Sequence, residues 1–140
     1  MLSESPVNPL QKALYARLNG DATLTTLMGP SSVHDQPPEG DPYPYIRLGD
    51  HLDIPDNDLT SFGREVTETL HVWTRERSNG PGQAIAARVV ELLDHQPDAL
   101  VVAGHQVVAI RWEFGQALTD PNPEIRHHVL RFRVVLAQEG

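Results

Sequence analysis

Seven histidines in an acidic chain are the first residues to question for chemistry. They stand as His34, His51, His71, His95, His105, His127 and His128. Metal sites on helices place two imidazoles on one face, as in His-x-x-x-His or His-Glu-x-x-His, and neither spacing occurs. His51 with Asp53, and His34 with Asp35, are the nearest candidate ligand pairs, each in a segment that reads as loop. His127 and His128 are adjacent in a strand-like run, so they point to opposite faces. The histidines are therefore expected at the solvent-exposed surface. Asp50, Asp53, Asp56 and Asp58 have the oxygens calcium prefers, but they lack the glycine and terminal glutamate of a calcium-binding loop. They read as a solvated acidic segment.

Nucleophiles fare no better. Ser31, Ser32, Ser61 and Ser78 carry no nucleophile elbow, and Ser61-Phe62-Gly63 and Ser78-Asn79-Gly80 are turn chemistry. Gly80-Pro81-Gly82 precedes a helical stripe, as in phosphate-binding loops, but no Gly-Lys-Ser/Thr comes after it. With no cysteine in the chain, thiolate metal sites and disulfides are excluded. The residue types thus assemble no catalytic, cofactor or metal set.

Charge is more informative. The formal net charge is −8, which argues against a basic nucleic-acid-binding stripe. Much of it is concentrated: Asp35, Glu39, Asp41, Asp50, Asp53, Asp56 and Asp58 share their segment with one base, Arg47. No apolar run approaches the ~20 residues of a membrane span, and MLSESPVNPL lacks a signal peptide's basic and apolar regions. Synthesis in the cytoplasm is the expectation.

These residues need elements to hold them. At 140 residues one domain is expected, 1–140, with a flexible N-terminus over 1–8. Asn8-Pro9 reads as a helix start, and Leu10, Ala13, Leu14 and Leu18 continue it at helical spacing. Asp21 is placed to cap a shorter helix carrying Leu24, Leu27 and Met28, closed by Gly29-Pro30. Val33 opens a short strand before Pro37-Pro38. The run PYPYIRLGD then gives a strand over Tyr45–Leu48, put at a sheet edge by Pro42 and Pro44. A long acidic loop is expected over 50–63. Val66, Leu70 and Val72 alternate with Thr67, Thr69, His71 and Trp73 in the next strand. Ile85, Ala86, Val89, Leu92 and Leu93 form a helical stripe. Leu100–Val102 reads as a short strand. Val107–Phe114 reads as a long one with the apolar face Val108, Ile110, Trp112 and Phe114, Trp112 being core. His128–Leu136 is the last, with Leu130, Phe132, Val134 and Leu136 inward and Arg131 and Arg133 outward. The class is α+β: a mainly antiparallel sheet of about four to five strands, with about two to three helices packed on one face. Trp73, on the polar face of its strand, suits either a protein contact or packing beneath the acidic loop against Phe62.

Taken in order, LQKALYARLNGDATLTTLMG, VHDQPPEGDPYPYIRLGD, GREVTETLHVWTRE, QAIAARVVELL, LVVAGHQVVAIRW and HHVLRFRVVL resemble the phage tail terminator (tail completion) family of siphophage-like tails and gene transfer agents. The most specific pieces are Pro44-Tyr45-Ile46 with Gly49, the LHVWT strand with Trp73, and the final LRFRV. TDPNPEIRHH departs from the Asp-Gly type of turn expected before the last strand. The resemblance implies a structural virion protein of the tail and neck, assembled in the bacterial host cytoplasm, with no enzyme activity and no cofactor. It implies a homo-hexameric ring on the head-proximal end of the tail tube that ends tube polymerisation and serves head–tail joining. Its partners would be its own copies, the major tail tube protein and a head–neck connector protein, with DNA passing through the lumen without specific binding and no membrane involved.

On that reading Tyr43, Tyr45, Arg47, Asp53, Asp56, Asp58, Phe62 and Trp73 are the candidate subunit or partner interface, with Tyr45–Leu48 as an edge for strand addition. A head-closure or connector ring is the alternative. A metal-dependent enzyme using the loop His and Asp residues, or a small-molecule-binding module, rests on residue types alone.

Overall fold

A computed structural model of the chain describes residues 1–29, 33–34 and 43–140. Pro30, Pro37-Pro38, Pro42, Ser31, Ser32, Asp35, Glu39 and Asp41 lie outside the described residues. Helix α1 (Val7–Asn19) buries Leu10, Ala13, Leu14 and Leu18 along one stripe. It begins earlier than Asn8-Pro9 suggests, with Pro6 at the N-cap. In α2 (Ala22–Met28) Asp21 is the cap, its carboxylate accepting from the Leu24 N–H at 2.8 Å. The same carboxylate takes both arms of Arg88 at 2.8 and 2.9 Å, tying α2 to α3 (Gly80–Leu93). The Arg88 guanidinium, more than the cap, holds the Asp21 carboxyl down at about 2.

The strands are β1 (Val33–His34), β2 (Tyr45–Pro55), β3 (Gly63–Arg75), β4 (His105–Thr119) and β5 (Ile125–Gln138). They form one sheet in the order β1-β2-β3-β5-β4. Among the described residues only β1 and β2 are parallel; every other neighbouring pair is antiparallel. Helices α1, α2 and α3 and the sheet's inner face share one core, containing Leu14, Ile46, Leu70, Val89, Ile110, Phe132 and Val134 among others. Each such side chain contributes roughly 1.5–3 kcal/mol by leaving water. The expected α+β class is the observed one.

Several local expectations are corrected. The segment 50–63 is mostly strand: β2 runs to Pro55 and β3 starts at Gly63, leaving only 56–62 as a hairpin tip. Backbone pairing with β3 outweighs the polar composition, and Leu52 and Ile54 alternate with His51 and Asp53 as a strand requires. The N-terminus over 1–8 is tied down. The Glu4 N–H donates to Gln138, Gln138 donates to the Leu2 carbonyl, and α1 has started by Val7. Tyr45–Leu48 is no free edge, because β1 pairs with it at Ile46 and Arg47. Leu100–Val102 makes only a bridge from Val102 to His105, after a 3-10 turn over Pro97–Ala99.

Val108 and Trp112 are not core: a bulge between Val107 and Ala109 leaves Val108 exposed, and a second between Trp112 and Phe114 leaves both exposed and sends them to opposite faces. In the last hairpin, Asp120 and Asn122 each accept an N–H two residues on. These two Asx turns do the work of the absent Asp-Gly.

Candidate interaction surfaces

The sheet face away from the helices is open, and the strand registers line up its side chains. Tyr45 on β2 pairs with Trp73 on β3, and Trp73 pairs with His127 on β5. These rings make a continuous row. Tyr43 meets Tyr45 at 5.4 Å, Tyr45 meets Trp73 at 6.5 Å, and Trp73 lies 3.7 Å from His127 with the planes 10° apart. The Arg75 guanidinium sits 5.0 Å over Tyr43. His71 completes the row, bonded to His127. Of the two sequence readings for Trp73, packing against Phe62 gives way to this stack.

Burial acts on the row's chemistry. It raises the Tyr45 phenol, with Tyr43 a second cause. It lowers His71, helped by Arg47, and lowers His127 to about 4, helped by His71 and His128. The expectation of solvent-exposed histidines therefore fails for five of them: His105 and His128 are buried, and His34, His71 and His127 half-buried. Alternation along β5 gave the signal for His128, since it shares a face with Leu130 and Phe132. Glu68 is also buried, in phase with Val66 and Leu70; its place on that face was readable from the two-residue period.

One row along, the open face carries arginines. Arg131 lies 5.2 Å from the Phe114 ring, Arg133 is paired with Glu113 and Glu65, and Arg111 is exposed and pairs in register with Arg133. Sequence reasoning placed Arg131 and Arg133 outward but named neither as a contact.

The remaining candidates lie in the β2–β3 hairpin, roughly 33 Å from Tyr45 at ten residues of strand rise. Asp53 pairs with Arg64 at 2.7 Å. Asp58 holds the tip together, accepting from Thr60 and Ser61 N–H groups at 2.8 and 2.7 Å, and these bonds lower its carboxyl. The half-buried Phe62 has its carbonyl bonded to the Gln138 N–H at 2.9 Å. The Asp56 N–H closes the tip on the Gly63 carbonyl while its side chain stays exposed. Leu52, Ile54 and Leu59 are exposed too. The sequence candidates thus divide into two surfaces: Tyr43, Tyr45, Arg47 and Trp73 at one end of β2, and Asp53, Asp56, Asp58 and Phe62 at the other.

Neither surface has the geometry of a reaction centre. Among the described residues no three His, Asp or Glu side chains are grouped to hold a metal ion, and no helix is long and apolar enough to cross a membrane. Both surfaces instead have contact chemistry, aromatic and arginine-rich on one side, acidic and apolar on the other.

Comparison with known proteins points to a structural protein. Tail completion protein gp17 of Bacillus phage SPP1 is 31% identical over 127 residues, 91% of each chain. A chain from the virion of a native gene transfer agent particle superposes with a TM-score of 0.87 at 26% identity, covering 96% of this chain and 99% of that one. The family model for tail completion protein gp17 matches residues 12–137. Its homologues are structural virion components, and its own role is structural, in a virion tail, not enzymatic. The chain belongs to the tail completion protein gp17 family.

Proposed function

We propose that six copies of this chain form a ring on the head-proximal end of the tail tube, where the ring ends tube growth and offers the surface on which the head joins. The observation that carries this reading is the near end-to-end match to a chain of a gene transfer agent virion. The open face and the hairpin support it, because a closed ring needs two unlike surfaces on each copy that fit each other head to tail. In this reading the major tail tube protein meets one side of the ring and the head–neck connector protein the other. DNA passes through the lumen without specific binding, and assembly takes place in the host cytoplasm. Tyr43, Tyr45, Arg47 and Trp73 supply rigid contact area, and the hairpin tip meets a basic surface through Asp56.

The test is a particle-producing lysate in which this chain is absent. Overlong tails, or tails unjoined to filled heads, are the expected result; heads that leak their DNA would assign the chain to head closure instead. For the hairpin the informative variant is Asp56→Lys, since Asp53 and Asp58 also hold the hairpin itself. It should cut the yield of joined particles at least tenfold, and an unchanged yield would remove the tip from docking.

A further inference from the structure

A sheet edge presents unpaired N–H and C=O groups, and natural proteins guard such edges with charges, prolines or a covering segment. This sheet ends in two unlike edges. On the β2 side, β1 covers Ile46 and Arg47, and among the described residues nothing pairs with the outer side of 49–55. On the β4 side, the chain before the strand covers part of the edge: the His95 N–H donates to the Ile110 carbonyl, and the Trp112 N–H donates to Asp94. The Trp112 indole N–H donates to the Phe114 carbonyl. The remainder of β4, Gly115-Gln116-Ala117-Leu118-Thr119, has no charge, no proline and no strand on its outer side among the described residues.

We infer that residues 49–55 of one copy pair with 115–119 of the next, so that the sheet continues from copy to copy. The inference rests on the ring reading and specifies its contact. Topology sets the direction. From β2 through β3 and β5 to β4 each step is antiparallel, so β2 and β4 run in opposite senses. A neighbour related by rotation about an axis roughly along the strands therefore offers its β2 antiparallel to β4.

Side chains agree with that pairing. Leu52 faces the open side, being in register with Thr67 and through it with Arg133. Ile54, Phe114 and Leu118 face the same side; Leu52, Ile54 and Phe114 are exposed and Leu118 is half-buried. Continuing the sheet sets these apolar groups side by side. On the helix side, a groove of about 380 Å³ between Ala86, Ala87 and Val90 of α3 and Trp112, Gly115 and Ala117 of β4 has room for inward-facing side chains of the added strand.

The offset of the two edges also suits closure. Gln116 is level with His71 and Arg47 through Val129, whereas Leu52 is level with Thr67, four residues away on β3. That is a slip of about 13 Å along the strands at ~3.3 Å per residue. Four strands ~4.8 Å apart, tilted ~35° as in closed sheets, slip by about the same 13 Å per copy. The resulting register puts Leu52 opposite Gln116 of the next copy, and Ile54 opposite Phe114. Carried past the bulge between Phe114 and Trp112, it brings the exposed Asp56 opposite the exposed Arg111. That charge match favours a second copy as the occupant.

Because the chain has no cysteine, Leu52→Cys with Gln116→Cys in one chain is a clean probe. Treated with a short bifunctional maleimide in purified particles, the double variant should give a covalent ladder ending at the ring's full copy number. Each single variant should remain one chain wide. Rings of the right copy number by native mass spectrometry, with no ladder, would overturn the edge pairing and leave the ring standing. Particles holding fewer copies than a ring would sink both. Should the double variant fail to enter particles, hydrogen exchange on the unmodified chain decides. Amides of 49–55 and 115–119 should exchange at least tenfold more slowly in isolated tails than in the free monomer, and equal rates would refute the pairing.

Discussion

Nδ1 of His71 lies 2.7 Å from Nε2 of His127, across 56 residues of sequence. At that distance one ring donates and the other accepts, so the pair holds a single proton between the two nitrogens. Protonating both rings would set two imidazolium ions against each other, on a ring already stacked on Trp73. The bond therefore requires at least one neutral ring, which burial of both rings favours.

The consequence is a pH-dependent stability with a defined sign. His127 titrates near its ordinary 6.5 in the unfolded chain but at about 4 in the folded one. Between those values the unfolded chain binds more protons, so this contribution to stability is complete above about 6.5 and declines as pH falls toward 4. His71 and His128, lowered in the same direction, add to the decline. Thermal unfolding from pH 7.5 to 4.5 should show the midpoint falling through this window. His127→Phe keeps a ring for Trp73 and removes the titration, so its midpoint should fall less steeply. Parallel curves for the two proteins would contradict the assignment.

His128 offers a test of packing. Its ring is buried, and among the described residues neither ring nitrogen, nor the neighbouring Thr74 hydroxyl, has a hydrogen-bond partner. Replacing an unpaired buried polar group by an apolar one of similar size removes its desolvation cost, so His128→Leu should stabilise by about 1 kcal/mol in chemical denaturation. Gly82 in α3 lies under the same ring: a Cβ there would stand 2.7 Å from it. Gly82→Ala gains ~1 kcal/mol of helix propensity, yet the overlap should leave it destabilised by roughly 1–2 kcal/mol. Combining it with His128→Ala should restore the gain, and purely additive effects would show that the two sites do not touch.

Two phenylalanines on adjacent strands should behave oppositely. Phe132 is fully buried, and Phe132→Ala should cost about 3–5 kcal/mol. Phe114 is exposed beneath Arg131, and Phe114→Ala should cost about 1 kcal/mol or less. Urea midpoints of the two purified variants check this. A large loss at Phe114 in the isolated chain would mean that the open face has a stabilising role within one copy.

What the sequence made legible was local. The stripe Leu10-Ala13-Leu14-Leu18, the Asp21 cap and the alternation in β3 and β5 depend on residues a few positions apart, and all three are present. The strand beyond Leu48 was hidden because its signal, Leu52 and Ile54 among aspartates, becomes a strand only through pairing with β3. The His71–His127 bond and the cover that β1 places on β2 join distant segments, which no local period reveals. The open-face surface was half visible. Trp73 and Tyr45 declared themselves as aromatic residues in strands, whereas their histidine partners looked like ordinary surface residues.

The bulge at Glu113 is a joint that takes up slack in the chain. Trp112 is opposite Phe132 and Phe114 is opposite the very next partner, Arg131, so Glu113 occupies no rung of its own. Where a strand is regular, one residue more or fewer exchanges its two faces from that point on. At this joint a residue can be lost with both faces kept. Phe114, Gln116 and Leu118 would still lie on the open side, and Gly115 and Ala117 toward α3, each on its present partner. The loss would be confined to the pairing of Glu113 with Arg133. Relatives one residue shorter here would therefore display the same surface, a change of spelling that leaves the message intact.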